Sequence, residues 1–183
     1  MITSDALIAR FVADTASATR AAVLALPAAQ PDSYRFGMAG AYPSAGTPAV
    51  RRINGTLAFG LSGSATSGVS VSPPQLPSSW TTATLTLFFI ANASGFSGDV
   101  VFQATPGYFP DTGGGTSGTV TATHTVVTNA AQVAQVALTL SSGVVGWWKS
   151  FSPGLCIDRL GADAGDTYSP DVNLLGYRLA KAS

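Results

Sequence analysis

The chain of 183 residues contains no glutamate, only two lysines (Lys149 and Lys181), one histidine and one cysteine, and charged residues make up just 10% of it. Glutamate and lysine furnish the exposed faces of most helices. Their scarcity beside 20 Gly, 11 Pro, 20 Ser and 20 Thr argues against a helical bundle and for a mainly β chain. Nine Lys+Arg balance nine Asp, which leaves no basic footprint for nucleic acid. Cys156, being alone, can form neither an internal disulfide nor a cysteine-based metal cluster. The most apolar stretch, residues 21–29, is too short to span a bilayer and is broken by Pro27, so no membrane partner is expected. The opening Met1-Ile2-Thr3-Ser4-Asp5 lacks the basic start of a secretion signal, which predicts synthesis in the cytoplasm.

What is present is a surface rich in neutral hydroxyls, with hydrophobic residues at 46%. Low charge at zero net charge favours self-association, so the composition suits a chain that works inside an assembly. Ser4 and Asp5 can cap a first helix. Leu7, Ile8, Phe11 and Val12 then fall on one apolar stripe of that helix, which ends at Pro27. Residues 1–31 therefore read as a helical arm whose stripe is a candidate interface. Residues 32–53 hold Gly37, Gly40, Pro43, Gly46 and Pro48 with few apolar pairs, and read as an extended linker.

From residue 54 to 183 the period changes to two. Leu57, Phe59 and Leu61 alternate with small or polar residues, as do Val69 and Val71, and then Leu85, Leu87 and Phe89 against Thr84, Thr86 and Phe88. Gly95 and Gly98 predict a turn leading to a neighbouring strand at 99–105. Residues 106–118 read as a long crossover between sheets, followed by strands at 119–127 and 133–140, a turn at 141–146, and strands at 155–159 and 173–179. About eight short strands between Gly/Pro-rich turns predict a jelly-roll-like antiparallel β-sandwich, preceded by the helix and the linker arm.

Chemistry-bearing residues are sparse. His124 lies at strand period among threonines with no carboxylate nearby in sequence, and no serine sits in a nucleophile motif, so no catalytic residue is expected. Two-carboxylate glycoside hydrolysis would have to draw on Asp alone. Asp158, Asp163, Asp166 and Asp171 surround a glycine-containing loop that calcium could use, but their spacing matches no calcium signature and Asp equally favours turns. The glycines at 113–115 lack the lysine of a phosphate loop. No metal and no cofactor are expected. Trp147 and Trp148 are adjacent; in an extended chain they point to opposite sides, leaving one for contact with a partner or a sugar. The Asn54-Gly55-Thr56 and Asn92-Ala93-Ser94 triplets read as turns.

The order of short patterns carries one further signal. Leu76-Pro77-Ser78-Ser79-Trp80 precedes a strong strand, Ser97-Gly98-Asp99-Val100-Val101-Phe102 follows, and the end holds Asp158-Arg159, the loop GADAGDT and Asn173-Leu174-Leu175-Gly176-Tyr177. This resembles the β-sandwich domain of tailed-bacteriophage virion proteins, namely head decoration (cement) proteins and head or tail fibre proteins. The resemblance implies a non-enzymatic homotrimer on the capsid exterior that binds the major capsid protein and stabilises the head. The helix stripe and Trp147 or Trp148 would then serve as contacts. The alternative is a fibre or receptor-binding module that binds carbohydrate, because β-sandwiches also host lectins.

Overall fold

In a computed structural model, residues 32–73, 75–91, 93, 95–107, 118–127, 133–150 and 154–182 are described. Residues from Asp32 onward form one compact unit. The helix expected over the first 31 residues, with Leu7, Ile8, Phe11 and Val12, lies outside the described residues.

Among the described residues the strands are β1 (Ser33–Gly37), β2 (Tyr42–Ala45), β3 (Ala49–Ile53), β4 (Thr56–Leu61), β5 (Thr66–Val71), β6 (Ala83–Ala91), β7 (Gly98–Gly107), β8 (Val120–Val126), β9 (Val133–Leu140), β10 (Gly154–Leu160) and β11 (Val172–Lys181), with a helix, α1 (Ser142–Ser150), after β9. One sheet runs β3-β4-β11-β6-β9, with β1 also on β11; the other runs β2-β5-β10-β7-β8. All pairings are antiparallel. The protein is thus a mainly β sandwich of two sheets. All eight expected strands are present as β4 to β11, within a residue or two at most ends.

Period-two patterning decides which side chains enter the space between the sheets. Ala83, Leu85, Leu87, Phe89 and Ala91 of β6 are buried there, as are Val100, Phe102 and Ala104 of β7. The rings of Phe89 and Phe102 meet across the layer at 5.0 Å. Trp80 and Trp148 are among the largest fully buried side chains; replacing either with alanine would cost about 3–5 kcal/mol.

Four expectations are corrected. Residues 32–53 are not an extended linker: they supply three strands. Tyr34 and Phe36 of β1 pack against the core, with Phe36 stacked on Tyr177 at 4.9 Å and Tyr34 tilted against Trp80 at 5.8 Å. β2 and β3 sit at sheet edges, where Pro43 and the glycines are tolerated. Residues 141–146 are not a turn but open α1, because Val144, Val145 and Trp148 at i, i+1 and i+4 bury one helical stripe. β6 and β7 are not neighbours, since β6 lies in one sheet and β7 in the other. The segment 106–118 instead joins β7 to β8, which pair within one sheet from Gly98↔Val126 to Ala104↔Val120.

Two local devices shape the site described next. β11 is shared along one side: Val172–Leu174 pairs with β4 and Gly176–Ala180 pairs with β1. The register against β6 shifts between Leu174 and Gly176, so Leu175 is an inserted residue at a bulge. The loop after β10 is pinned by Arg159, which is fully buried and donates to both Asp166 carboxylate oxygens at 2.9 and 2.7 Å, to the Pro170 carbonyl at 2.7 Å and to the Tyr168 carbonyl. Asp166 also accepts from the Val101 amide at 3.0 Å.

Candidate functional site

The residues singled out from sequence divide sharply once placed. Trp148 is wholly buried, and its indole N–H finds no acceptor among the described residues, so it is a core residue. Helical geometry puts Trp147 about 100° around α1 from it rather than opposite; the Trp147 side chain lies outside the described residues. His124 faces inward from β8, edge-on to Phe89 with ring centres 5.3 Å apart. It sits at the mouth of a cleft of about 350 Å³ between β8 and β9, beside Val127 and Val133. The structure does not gather the four aspartates. Asp166 is committed to Arg159, Asp171 pairs with Arg51 at 3.4 Å, and Asp163 Oδ1 accepts from the Gly165 amide at 2.8 Å. Among the described residues no group of three His, Cys, Asp or Glu is placed to hold a metal ion.

The outward faces of the two sheets are the remaining places for a ligand. On the β2-β5-β10-β7-β8 sheet, the outward residues include Tyr42, Val101 and Gln103 beside hydroxyls and carboxylates that hydrogen-bond one another. Ser44 Oγ donates to Asp158 Oδ1 at 2.9 Å, Thr125 Oγ1 donates to Asp99 Oδ1 at 2.6 Å, and Ser70 Oγ lies 3.5 Å from Cys156 Sγ. Asp158 folds over Gly68, where a Cβ would stand 1.8 Å from its Oδ1, so this position has room only for glycine. Burial raises the Asp158 carboxyl above its ordinary range, and the Ser44 hydrogen bond offsets part of that.

The other sheet is built differently. Pairing registers align one row of outward positions as Gly37↔Gly176↔Phe88↔Gln135 across β1, β11, β6 and β9. The next row is Arg35↔Arg178↔Thr86↔Ala137. Two opposed glycines leave the first row without side chains at one end, and Phe88 beside them is outward but only 8% exposed. The result is a hollow of about 370 Å³ lined by Arg35, Gly37, Thr56, Phe88, Val133 and Gly176, among others. A Cβ at Gly176 would strike the Phe36 carbonyl oxygen at 2.4 Å, whereas one at Gly37 would meet nothing within 4 Å. The first glycine is thus required by the pairing of β1 with β11, and the second only keeps the hollow open. The Arg35 guanidinium lies over the Phe88 ring, 4.7 Å from its centre.

None of these site residues was anticipated from sequence. Phe88 carried a signal, since it is a large aromatic at an outward position of a strand whose other outward residues at that end of the alternation are threonines. Arg35 and Arg178 carried none, because their approach depends on a register between distant segments.

No family model matches the chain, and no curated protein matches it. Among solved structures it is similar to the CBM22-2 xylan-binding domain from Paenibacillus barcinonensis Xyn10C, with 9% identity, a TM-score of 0.52, and coverage of 81% of this chain and 99% of that one. It is also similar to the CBM22-1-CBM22-2 tandem domain from the same Paenibacillus barcinonensis protein, with 10% identity and a TM-score of 0.51; the match covers 83% of this chain and 51% of the tandem. At such identities the likeness shows the fold alone, a jelly-roll-like β-sandwich. The resemblance to phage virion proteins is supported as far as that sandwich. These structural neighbours are carbohydrate-binding modules rather than capsid proteins.

Proposed function

We propose that this chain is a non-catalytic carbohydrate-binding β-sandwich module, and that a sugar sits in the hollow over Gly37 and Gly176. The observation that carries this reading is the hollow itself: two glycines on its floor beside Phe88, whose ring Arg35 partly covers, with Arg35 and Thr56 as hydrogen-bonding groups on the lining. Sugars present C–H faces that pack on aromatic rings and hydroxyls that pair with planar polar side chains. The sandwich likeness to xylan-binding domains agrees with the reading without deciding it. A receptor-binding or fibre protein that engages glycans at a bacterial surface is the setting that fits the virion resemblance. Capsid decoration, with the major capsid protein and two further copies of this chain as partners, would rest instead on Leu7, Ile8, Phe11 and Val12.

The test is a glycan array followed by calorimetry, run with the wild type and with Gly37→Phe. That position is exposed and has open space above it, so the added ring fills the hollow without entering the core. Binding by the wild type and its loss in Gly37→Phe, at unchanged Tm, is the expected result. Equal binding by both would move the sugar elsewhere.

A further inference from the structure

Arg35 and Arg178 are direct cross-strand partners on β1 and β11. Like charges directly opposite each other across an antiparallel pair are destabilising. Among the described residues the offset is missing. The ion pairs there are Arg51 with Asp171 and Arg159 with Asp166, and neither Arg35 nor Arg178 has a carboxylate partner. The described carboxylates facing outward from sheets, Asp99 and Asp158, belong to the opposite sheet. Arg35 is also held in place. Its guanidinium carbon lies 4.7 Å from the centre of the Phe88 ring, and an aromatic ring takes none of the N–H donors that match a carboxylate in a two-point fork.

We propose that the sugar held on this face is an acidic one, and that Arg35 and Arg178 together bind its carboxylate. This rests on the reading of the hollow as a sugar site and names the class of sugar. The arginine row stands two residues along the strand from the glycine row, about 7 Å. A pyranose ring over Gly37 and Gly176 therefore reaches the arginines with a carboxylate at C6. A uronic acid satisfies both rows, with the ring over the two glycines and the anion at the Arg35 guanidinium, which reaches back over Phe88, and at Arg178 from the next row. A neutral sugar satisfies the hollow and leaves the opposed charges unrelieved.

The experiment uses a panel of uronate polymers (polygalacturonate, glucuronoxylan, alginate and hyaluronan), each beside its carboxyl-reduced neutral form, with affinities measured by calorimetry on short oligomers. At least one uronate is expected to bind about tenfold or more tighter than its neutral form, the size of one charge-assisted hydrogen bond. Arg178→Ala is expected to erase that preference while leaving the neutral oligomer's affinity unchanged, and Arg178→Lys to restore only part of it, since an ammonium cannot make the two-point contact. Arg178 is exposed, so the variant is expected to keep the fold. Equal affinity for acidic and neutral forms, or a preference that survives Arg178→Ala, overturns the acidic-sugar inference. If Gly37→Phe still abolishes binding in that case, the sugar site itself stands. Failure of every oligomer in the panel to bind, acidic or neutral, overturns both.

Discussion

Arginine is used in two opposite ways in this sandwich. In the loop after β10, Arg159 is fully buried and surrounded by acceptors, with Asp166 paired to it and equally buried. On the outer face of the β3-β4-β11-β6-β9 sheet, Arg35 and Arg178 are exposed, opposed in register and have no carboxylate partner among the described residues. The first arrangement spends every donor on its own chain and can only hold structure. The second leaves its donors for something outside the chain. The same contrast separates the two sheet faces: hydroxyls and carboxylates answer one another around Asp158 and Asp99, whereas the face around Phe88 carries an unanswered positive pair beside a hollow.

The largest effect is expected where the partnering is complete. Asp166→Ala leaves a buried guanidinium without its counter-ion, which costs about 3–5 kcal/mol, or a drop in Tm of about 10 °C in a domain of this size. A thermal melt checks it. A loss as small as that of a surface substitution would remove the distinction between the two arginine environments.

A smaller, pH-dependent effect is expected from Asp158→Asn. Burial raises the folded-state pKa of this carboxyl above its unfolded value, so the neutral form is favoured by folding. The stability this group contributes is present at acid pH and is lost as pH rises through the raised pKa. Asp158→Asn therefore melts higher than the wild type at pH 7, and the advantage disappears below about pH 4, where Asp158 is protonated in both states. An advantage that stays constant across that range would show that the carboxylate is not the cause.

The smallest effect is on the open pair. Arg178→Ala removes a like-charge contact and is expected to raise stability by about 0.5 kcal/mol at low salt. That gain should fade toward about 1 M salt, where the repulsion is screened. A denaturant titration at two salt concentrations checks it, and a clear loss of stability would mean that Arg178 has a structural partner.

How much of this was legible in the sequence depends on whether the signal is local. The eight strands from β4 to β11 follow from apolar residues at every second position, which needs no knowledge of neighbours. The three strands between residues 33 and 53 were hidden because β2 and β3 are short edge strands with no buried stripe, and Tyr34 and Phe36 alone made too brief an alternation. The helix α1 was hidden behind Gly143 and Gly146, although Val144, Val145 and Trp148 already had helical spacing. The pairing of Arg35 with Arg178 arises from the register of β1 on β11, which a linear reading cannot supply. Calcium had to be weighed at the aspartates near residue 163, although none was expected, because sequence cannot show that Arg159 turns inward to meet Asp166.

The central claim is that the face bearing Phe88 binds sugar and the opposite face does not. The most direct measurement is a backbone amide chemical-shift map of the isotope-labelled protein titrated with the best-binding oligosaccharide. Shifts gathered at Arg35, Gly37, Phe88, Gln135, Gly176 and Arg178 are the predicted result. Shifts gathered instead at Tyr42, Ser70, Gln103 and Asp158, on the other sheet, would contradict it.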